Sequence, residues 1–492
     1  MAEFGPMNRA VGFIAAVLLA GGGCGDNSGP PRMTPDELMD RLRALRGVTV
    51  EQGAGAPENY SYYILHFTQP LDHRDPSRGT FQQEVSLLHR NELAPFPLIV
   101  YTSGYWDDEH NEPVELTTML DANQVSIEHR FYGDSRPDPV DWSLLTVEQE
   151  AADEHDIITA LHAIYAGPFV AVGESKGGIT ALIQRSLYFT DVKATVAYVA
   201  PMSFNAPDPR YAAHFDSGDL PADCRAAVRS LASEMLTRRT RMLARAWDEV
   251  DQGACTYTRV KIGPALEAAI AGLEWAFWQS AGDAEACNNL PLTTDSDEKL
   301  FEFLKRTSPA TGYDDEVLRS YAPYYYQSYA QLGYPDYTVA YLTDQLVYQD
   351  IDYLGELPTA EPVFDPSAMD RLQEWLENPD TDEHDPVTRE DLGKHIMFIY
   401  GRRDPWFAGR VVTGAAVDTP PYIQATGNHE TKLATLDPTQ QIPAFAYIQR
   451  WTGVEPLLWR LDRQAPSAAT RAVGRRGPPP RLGMGRARAA AR

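Results

Sequence analysis

A chain of 492 residues, 43% of them hydrophobic and 23% charged, has the composition of a soluble globular protein long enough to bury a large core. Its formal net charge of −26 argues against a nucleic-acid partner, because a phosphate backbone needs a cationic face. The acidity lies in the body of the chain, since residues 463–492 hold eight arginines and no Asp, Glu or Lys.

In chain order, Arg9 and the apolar residues 11–20 read as an export signal whose core is too short to span a bilayer. Gly21-Gly22-Gly23-Cys24 resembles a bacterial lipobox, with Gly21 where leucine is usual. A signal over residues 1–24 with a lipid on Cys24, anchoring the chain to the outer or cytoplasmic membrane, is expected; ordinary cleavage and secretion is the alternative. Residues 25–47 read as a tether and a short helix opened by Thr34-Pro35, a cap followed by a first-turn proline. Residues 62–67 and 81–88 read as paired strands around the turn-rich residues 72–79. Buried strands follow at 97–101 and 124–128, and the signature returns at 169–172, 196–199 and 395–400. Strands alternating with helical segments predict an α/β fold, its mostly parallel sheet covered by helices on both faces, built from residues 48–204 and 385–462.

Between them, residues 205–384 predict a helical cap inserted into the sheet domain. Long helical patterns run over 223–250 and 265–280, with aromatic clusters at Trp275-Ala276-Phe277-Trp278 and Tyr324-Tyr325-Tyr326. The tail over 463–492 is Arg-, Ala-, Pro- and Gly-rich and is expected to be disordered. Apart from Cys24, the cysteines are Cys224, Cys255 and Cys287, enough for one disulfide and an odd thiol in an exported protein. No C-x-x-C pair or H-E-x-x-H appears, and neither a metal nor another cofactor is expected.

The chemistry centres on Gly173-Glu174-Ser175-Lys176-Gly177, a G-x-S-x-G pattern between a strand and a helix. That is the context of the nucleophile elbow of the α/β-hydrolase fold, where the acid and then the histidine follow the serine in chain order. After Ser175 the histidines are His214, His384, His395 and His429. His214 falls where the cap begins, His384 in an acidic loop, and His395 at the beginning of a strand, away from the active-site edge. His429, in a turn before the last helical pattern, is where a loop-borne base belongs. Asp404 directly follows the strand over 395–400 and is the expected acid, with residues 422–425 as an intervening last strand. The oxyanion hole should use the N–H of Lys176 and a second N–H from Gly104 or Tyr105. The Lys176 side chain itself reads as a surface or salt-bridged lysine.

Several segments together resemble a known group. They include 128–137 (EHRFYGDSRP), 173–178, 401–406, Gly427-Asn428-His429, the cap segments Trp275-Ala276-Phe277-Trp278-Gln279 and Pro323-Tyr324-Tyr325-Tyr326-Gln327, and the "YYILHFTQPLDHRDPSRGTFQQEV" stretch. They look like the secreted bacterial tripeptidyl aminopeptidases of serine peptidase family thirty-seven, relatives of lysosomal prolyl carboxypeptidase, over roughly residues 50–455. The resemblance implies a Ser175–Asp404–His429 triad and release of short peptides from free N-termini, often after proline. It also implies a Cys224–Cys287 disulfide. Aromatics are expected to wall the substrate site, with Trp278 and Tyr325 of the cap and Trp406 beside Asp404 as candidates. An acid should hold the substrate ammonium, since a buried cation needs a paired charge; Glu128 is the candidate, unless it is the structural partner of Arg130. Two other readings stay open: an esterase or polyester hydrolase with the same machinery, and a catalytically idle lipoprotein that binds peptides.

Overall fold

A computed structural model describes residues 33–90, 96–107, 110–250, 255–336, 339–348, 362–377, 394–414 and 418–463. The export signal, Cys24, His384 and the basic tail beyond Arg463 lie outside the described residues.

Nine strands form one sheet: β1 (Val48–Gln52), β2 (Tyr60–Pro70), β3 (Thr80–Arg90), β4 (Leu98–Thr102), β5 (Asn123–Ile127), β6 (Phe169–Glu174), β7 (Ala194–Tyr198), β8 (Ile396–Gly401) and β9 (Pro421–Gln424). Their spatial order is β1-β2-β3-β5-β4-β6-β7-β8-β9. The first three strands enter antiparallel, and from β5 to β9 every neighbouring pair is parallel. This is the α/β-hydrolase fold. The short β1, absent from the sequence reading, is stabilised by its pairing with β2 across Val48–Phe67 to Gln52–Tyr63. Its own five residues carry too few buried side chains to announce a strand.

Alternation along the strands assigns the two faces. Val100 and Ala171 join Leu65, Val85, Val125, Ile157 and Leu161 in one apolar layer. Ile99, Val170 and Val172 join Met119, Val196, Met397, Ile448 and Trp451 in the other. Both faces are thus covered, which is why these strands read as continuous apolar runs.

Between β7 and β8 the helices Ala222–Thr237, Arg239–Val250, Ile262–Ala271, Leu273–Ser280, Asp297–Thr307 and Ala322–Gln327 enclose a core of their own. The two long helices predicted over 223–250 and 265–280 are each broken in two, at Arg238 and at Gly272. Arg238 leaves helical geometry while its guanidinium bonds Glu234, Asp297 and the Asp295 carbonyl, and glycine is a weak helix former. The helix Ser367–Glu377, read as part of the insertion, packs Met369 and Leu372 with Ile179, Leu182 and Phe398 of the sheet domain. Its amphipathic pattern requires burial of one face without specifying the surface that covers it. Cys224 and Cys287 are disulfide-bonded within this region, their Cα atoms 5.4 Å apart, and Cys255 lies outside the pair.

Candidate active site

Strand register brings the candidate residues to one edge. Thr102 of β4 lies opposite Gly173 of β6, Glu174 opposite Tyr198 of β7, and Gly401 of β8 opposite Gln424 of β9. The segments leaving β4, β6, β8 and β9 at that edge therefore carry residues 103–105, Ser175, Asp404 and His429. His395 stands at the opposite end of β8, bonded to the Lys193 carbonyl at 3.1 Å and facing Asp418 at 3.3 Å.

Ser175 has φ 55° and ψ −121°, a conformation that a serine keeps only when its surroundings over-determine it. Its N–H donates to the Tyr198 carbonyl at 2.9 Å, and its own carbonyl accepts from Ile179 at 3.2 Å to start the helix Lys176–Leu187. The turn is so tight that a Cβ on Gly177 would lie 2.1 Å from the Thr102 carbonyl oxygen. Only glycine permits that approach.

Asp404 is 1% exposed, and its Oδ2 is 2.5 Å from His429 Nδ1 while its Oδ1 accepts the Trp406 N–H at 3.0 Å. Burial opposes protonation of His429, but the charge and hydrogen bond of Asp404 outweigh it, with smaller contributions from Glu430 and Glu174, and the pKa lies above the ordinary histidine value. The His429 N–H donates to the Gln279 carbonyl of the cap at 3.0 Å, and Gln279 Oε1 accepts from both Trp275 Nε1 at 3.0 Å and Trp406 Nε1 at 3.1 Å. The cap thereby touches the loop that bears His429. His214 is buried beside Phe407 and Phe215, and burial lowers its pKa.

Ser175 and His429 line one cavity of about 1190 Å³, large enough for a short peptide. Its walls include Tyr105, Trp106, Tyr321, Tyr324 and Trp406. Trp106 packs edge-on against Tyr321, centroids 4.9 Å apart, and Tyr105 lies 5.9 Å from Tyr324. Of the three aromatic candidates from sequence, only Trp406 lies there. Trp278 is 0% exposed and Tyr325 5%, both inside the cap's own core. Trp106, Tyr321 and Tyr324 are wall residues that sequence reasoning missed, and for the two tyrosines a signal was available. Their three-residue spacing, which places two side chains on one helical face, was the available signal.

Glu128 needs a correction on both counts. It does not line the cavity, and its carboxylate is engaged internally, accepting from Ser135 N at 2.9 Å, Ser135 Oγ at 2.8 Å and Asp107 N at 3.2 Å. Arg130 pairs instead with Asp153, through Nε at 2.6 Å and a second nitrogen at 2.8 Å. Among the described residues, the carboxylates lining the cavity are Asp107, Glu112, Glu115, Glu174 and Glu430. Glu115 is committed to the Tyr198 hydroxyl and the N–H groups of Leu433 and Ala434, and Glu174 pairs with Lys432. The Lys176 side chain, read as surface or salt-bridged, is buried and faces Glu150.

A family model described as PS-10 peptidase S37 matches residues 33–474. A prolyl tri/tetrapeptidyl aminopeptidase from Streptomyces mobaraensis is 35% identical over 437 residues, covering 87% of this chain and 88% of that protein. Among solved structures, a proline iminopeptidase from Mycobacterium smegmatis is similar with a TM-score of 0.36 and 11% identity, over 79% of this chain and 99% of that one. An esterase from Pyrobaculum calidifontis is similar with a TM-score of 0.23 and 17% identity, over 32% of this chain and 53% of that one.

Proposed function

The chain belongs to the PS-10 peptidase S37 family of serine peptidases, and from that premise we propose that it is an exported exopeptidase releasing tri- or tetrapeptides, often after proline, from free N-termini. Ser175 Oγ attacks the scissile carbonyl, and His429 Nε2 takes its proton and passes it to the leaving amine. Asp404 holds Nδ1–H and stabilises the imidazolium. The tetrahedral oxygen receives the N–H of Lys176, at the positive end of a helix, and a second N–H from the 103–105 loop. Collapse leaves a peptidyl ester on Ser175, which water cleaves by the same steps in reverse roles.

The observation that carries this reading is the 2.5 Å Asp404–His429 contact, with His429 and the elbow serine lining the same cavity. The aromatic wall of Trp106, Tyr321, Tyr324 and Trp406 supports a preference for proline, a rigid apolar ring. The cavity's carboxylates support recognition of an ammonium group.

One peptide with proline before the scissile bond, assayed with its amino group free and acetylated, tests the exopeptidase claim. Acetylation removes one partner of a buried charge pair, a loss on the order of 3–5 kcal/mol. kcat/KM should therefore fall by about two to four orders of magnitude. A ratio near one would replace the exopeptidase with an endopeptidase. Export as a lipoprotein rests on Cys24 and is tested by detergent partitioning: Cys24→Ser should move the enzyme to the aqueous phase, and unchanged partitioning rejects the anchor.

A further inference from the structure

The side chain of Lys176 has no part in the chemistry described so far, yet it is 5% exposed and fully engaged. Its Nζ donates to the Gly104 carbonyl at 2.7 Å, lies 3.6 Å from Glu150 Oε1 and sits 5.5 Å from the Tyr105 ring centroid. Glu150 in turn accepts from Thr180 Oγ1 at 2.7 Å and Gln327 Nε2 at 3.2 Å, and pairs with His129. Burial works against a charge on both Glu150 and Lys176, but His129 and Lys176 hold the Glu150 carboxyl below the ordinary carboxylate range, so the lysine faces an ionised partner. Two buried charges are costly to keep, and well-packed apolar residues would often serve stability as well.

What the ammonium grips is the backbone of the loop after β4. Gly104 has φ +75°, and a Cβ there would lie 2.8 Å from Gly177 N and 3.0 Å from Lys176 Cγ. In a planar trans peptide the carbonyl and the following N–H point in opposite directions, so holding the Gly104 carbonyl fixes the direction of the Tyr105 N–H. The two candidate donors differ in their surroundings. The Gly104 N–H donates to buried Thr102 Oγ1 at 3.3 Å, and Gly104 is not part of the cavity wall. The Tyr105 N–H likewise donates to a side-chain hydroxyl, Ser103 Oγ at 3.1 Å, but Ser103 and Tyr105 both line the cavity, where an oxygen of the substrate can take that hydroxyl's place. The Tyr105 carbonyl is tied as well, by the His129 N–H at 2.9 Å.

We propose that Lys176 is a positioning residue for the oxyanion hole: its side chain clamps the Gly104 carbonyl and thereby aims the Tyr105 N–H at the oxygen that gains charge. One residue then supplies one donor from its backbone and orients the other from its side chain. The proposal rests on Ser175 being the nucleophile.

The test compares Lys176→Met and Lys176→Gln with the parent in the full-length protein, using a peptide p-nitroanilide with proline before the scissile bond. Removing one oxyanion donor typically costs about 10²–10³ in kcat, and misaiming it should approach the lower figure. The expected result for Lys176→Met is a fall in kcat of about 100-fold with KM within about threefold. The Ki of a peptidyl aldehyde, whose hemiacetal oxygen occupies the hole, should weaken by the same factor, while that of the released product peptide holds. Lys176→Gln keeps a donor and should recover part of the loss. A folded variant with kcat within about threefold of the parent, or with its loss carried by KM, overturns the proposal. So does failure of both variants to fold by circular dichroism, which would make the lysine a residue of the fold. Ser175→Ala run in parallel separates the two failures: an active Ser175→Ala sinks the catalytic reading, whereas an inactive one beside an active Lys176→Met sinks only the clamp.

Discussion

The sheet edge and the cap face the same cavity but are built by different rules. At the edge, Ser175, Asp404 and His429 sit on short connections whose origins are set by strand register, with Glu174 beside Tyr198 and Gly401 beside Gln424. Backbone sterics leave these segments little choice, as the 2.1 Å approach at Gly177 shows. On the cap side, Phe277, Gln279, Tyr321 and Tyr324 ride on short helices gathered round a separate core that includes Leu266, Trp278 and Leu300. Polar ties across the boundary include His429 N–H to the Gln279 carbonyl, Trp406 to the Gln279 amide and Arg403 to the Gly282 carbonyl at 3.1 Å. The proposed reactive groups therefore lie where geometry is rigid, and the proposed recognition wall lies where a turn of helix phase changes which side chains face the cavity. Changes at the edge should appear in kcat, and changes on the cap wall in KM.

The largest effect is expected at the elbow. Ser175→Ala should lose about six orders of magnitude in kcat with the fold intact, as loss of a triad serine does. Turnover within tenfold of the parent would remove the edge from the chemistry altogether. Asp404→Asn should cost about 10⁴-fold in kcat, and it should also shift the pH profile. Protonated His429 cannot act as a base, so kcat/KM falls as pH drops through its raised pKa, and the acidic limb should lie above the usual 6.5. With Asp404 neutralised, burial acts against the imidazolium unopposed by its main partner, and the limb should move to lower pH. A limb that stays in place would show that another group sets it.

The smallest effects belong to the cap. Tyr324→Ala should cost about tenfold in kcat/KM for a proline substrate, mainly through KM, with Tm nearly unchanged, since an aromatic contact is worth about 1 kcal/mol beyond its buried area. Trp278→Ala, inside the cap core, should do the reverse. It should lower stability by about 3–5 kcal/mol, read by denaturant unfolding, while each folded molecule keeps its KM. If the two variants exchanged signatures, the division between wall and core would be wrong.

The placement of Ser175 after β6, Asp404 after β8 and His429 after β9 was legible in the sequence for a physical reason. Parallel strands present all their C-terminal ends to one edge, so chain order and strand recognition suffice to gather residues that are far apart in sequence. The elbow also needs glycine at a fixed spacing, a signal that survives without knowledge of anything distant. The partners of Glu128 and Arg130 were not legible in this way. Glu128 turns to Ser135 and Asp107, and Arg130 finds Asp153 on a helix 23 residues on. Nor could the sequence show that Tyr321 and Tyr324, instead of Tyr325 and Trp278, face the cavity, or that Lys176 turns inward onto the Gly104 carbonyl. An aromatic run states that a helix will bury a face. Which of two available surfaces receives it, the cap's own core or the cavity, depends on how helices distant in the chain pack together, and only the folded structure decides that.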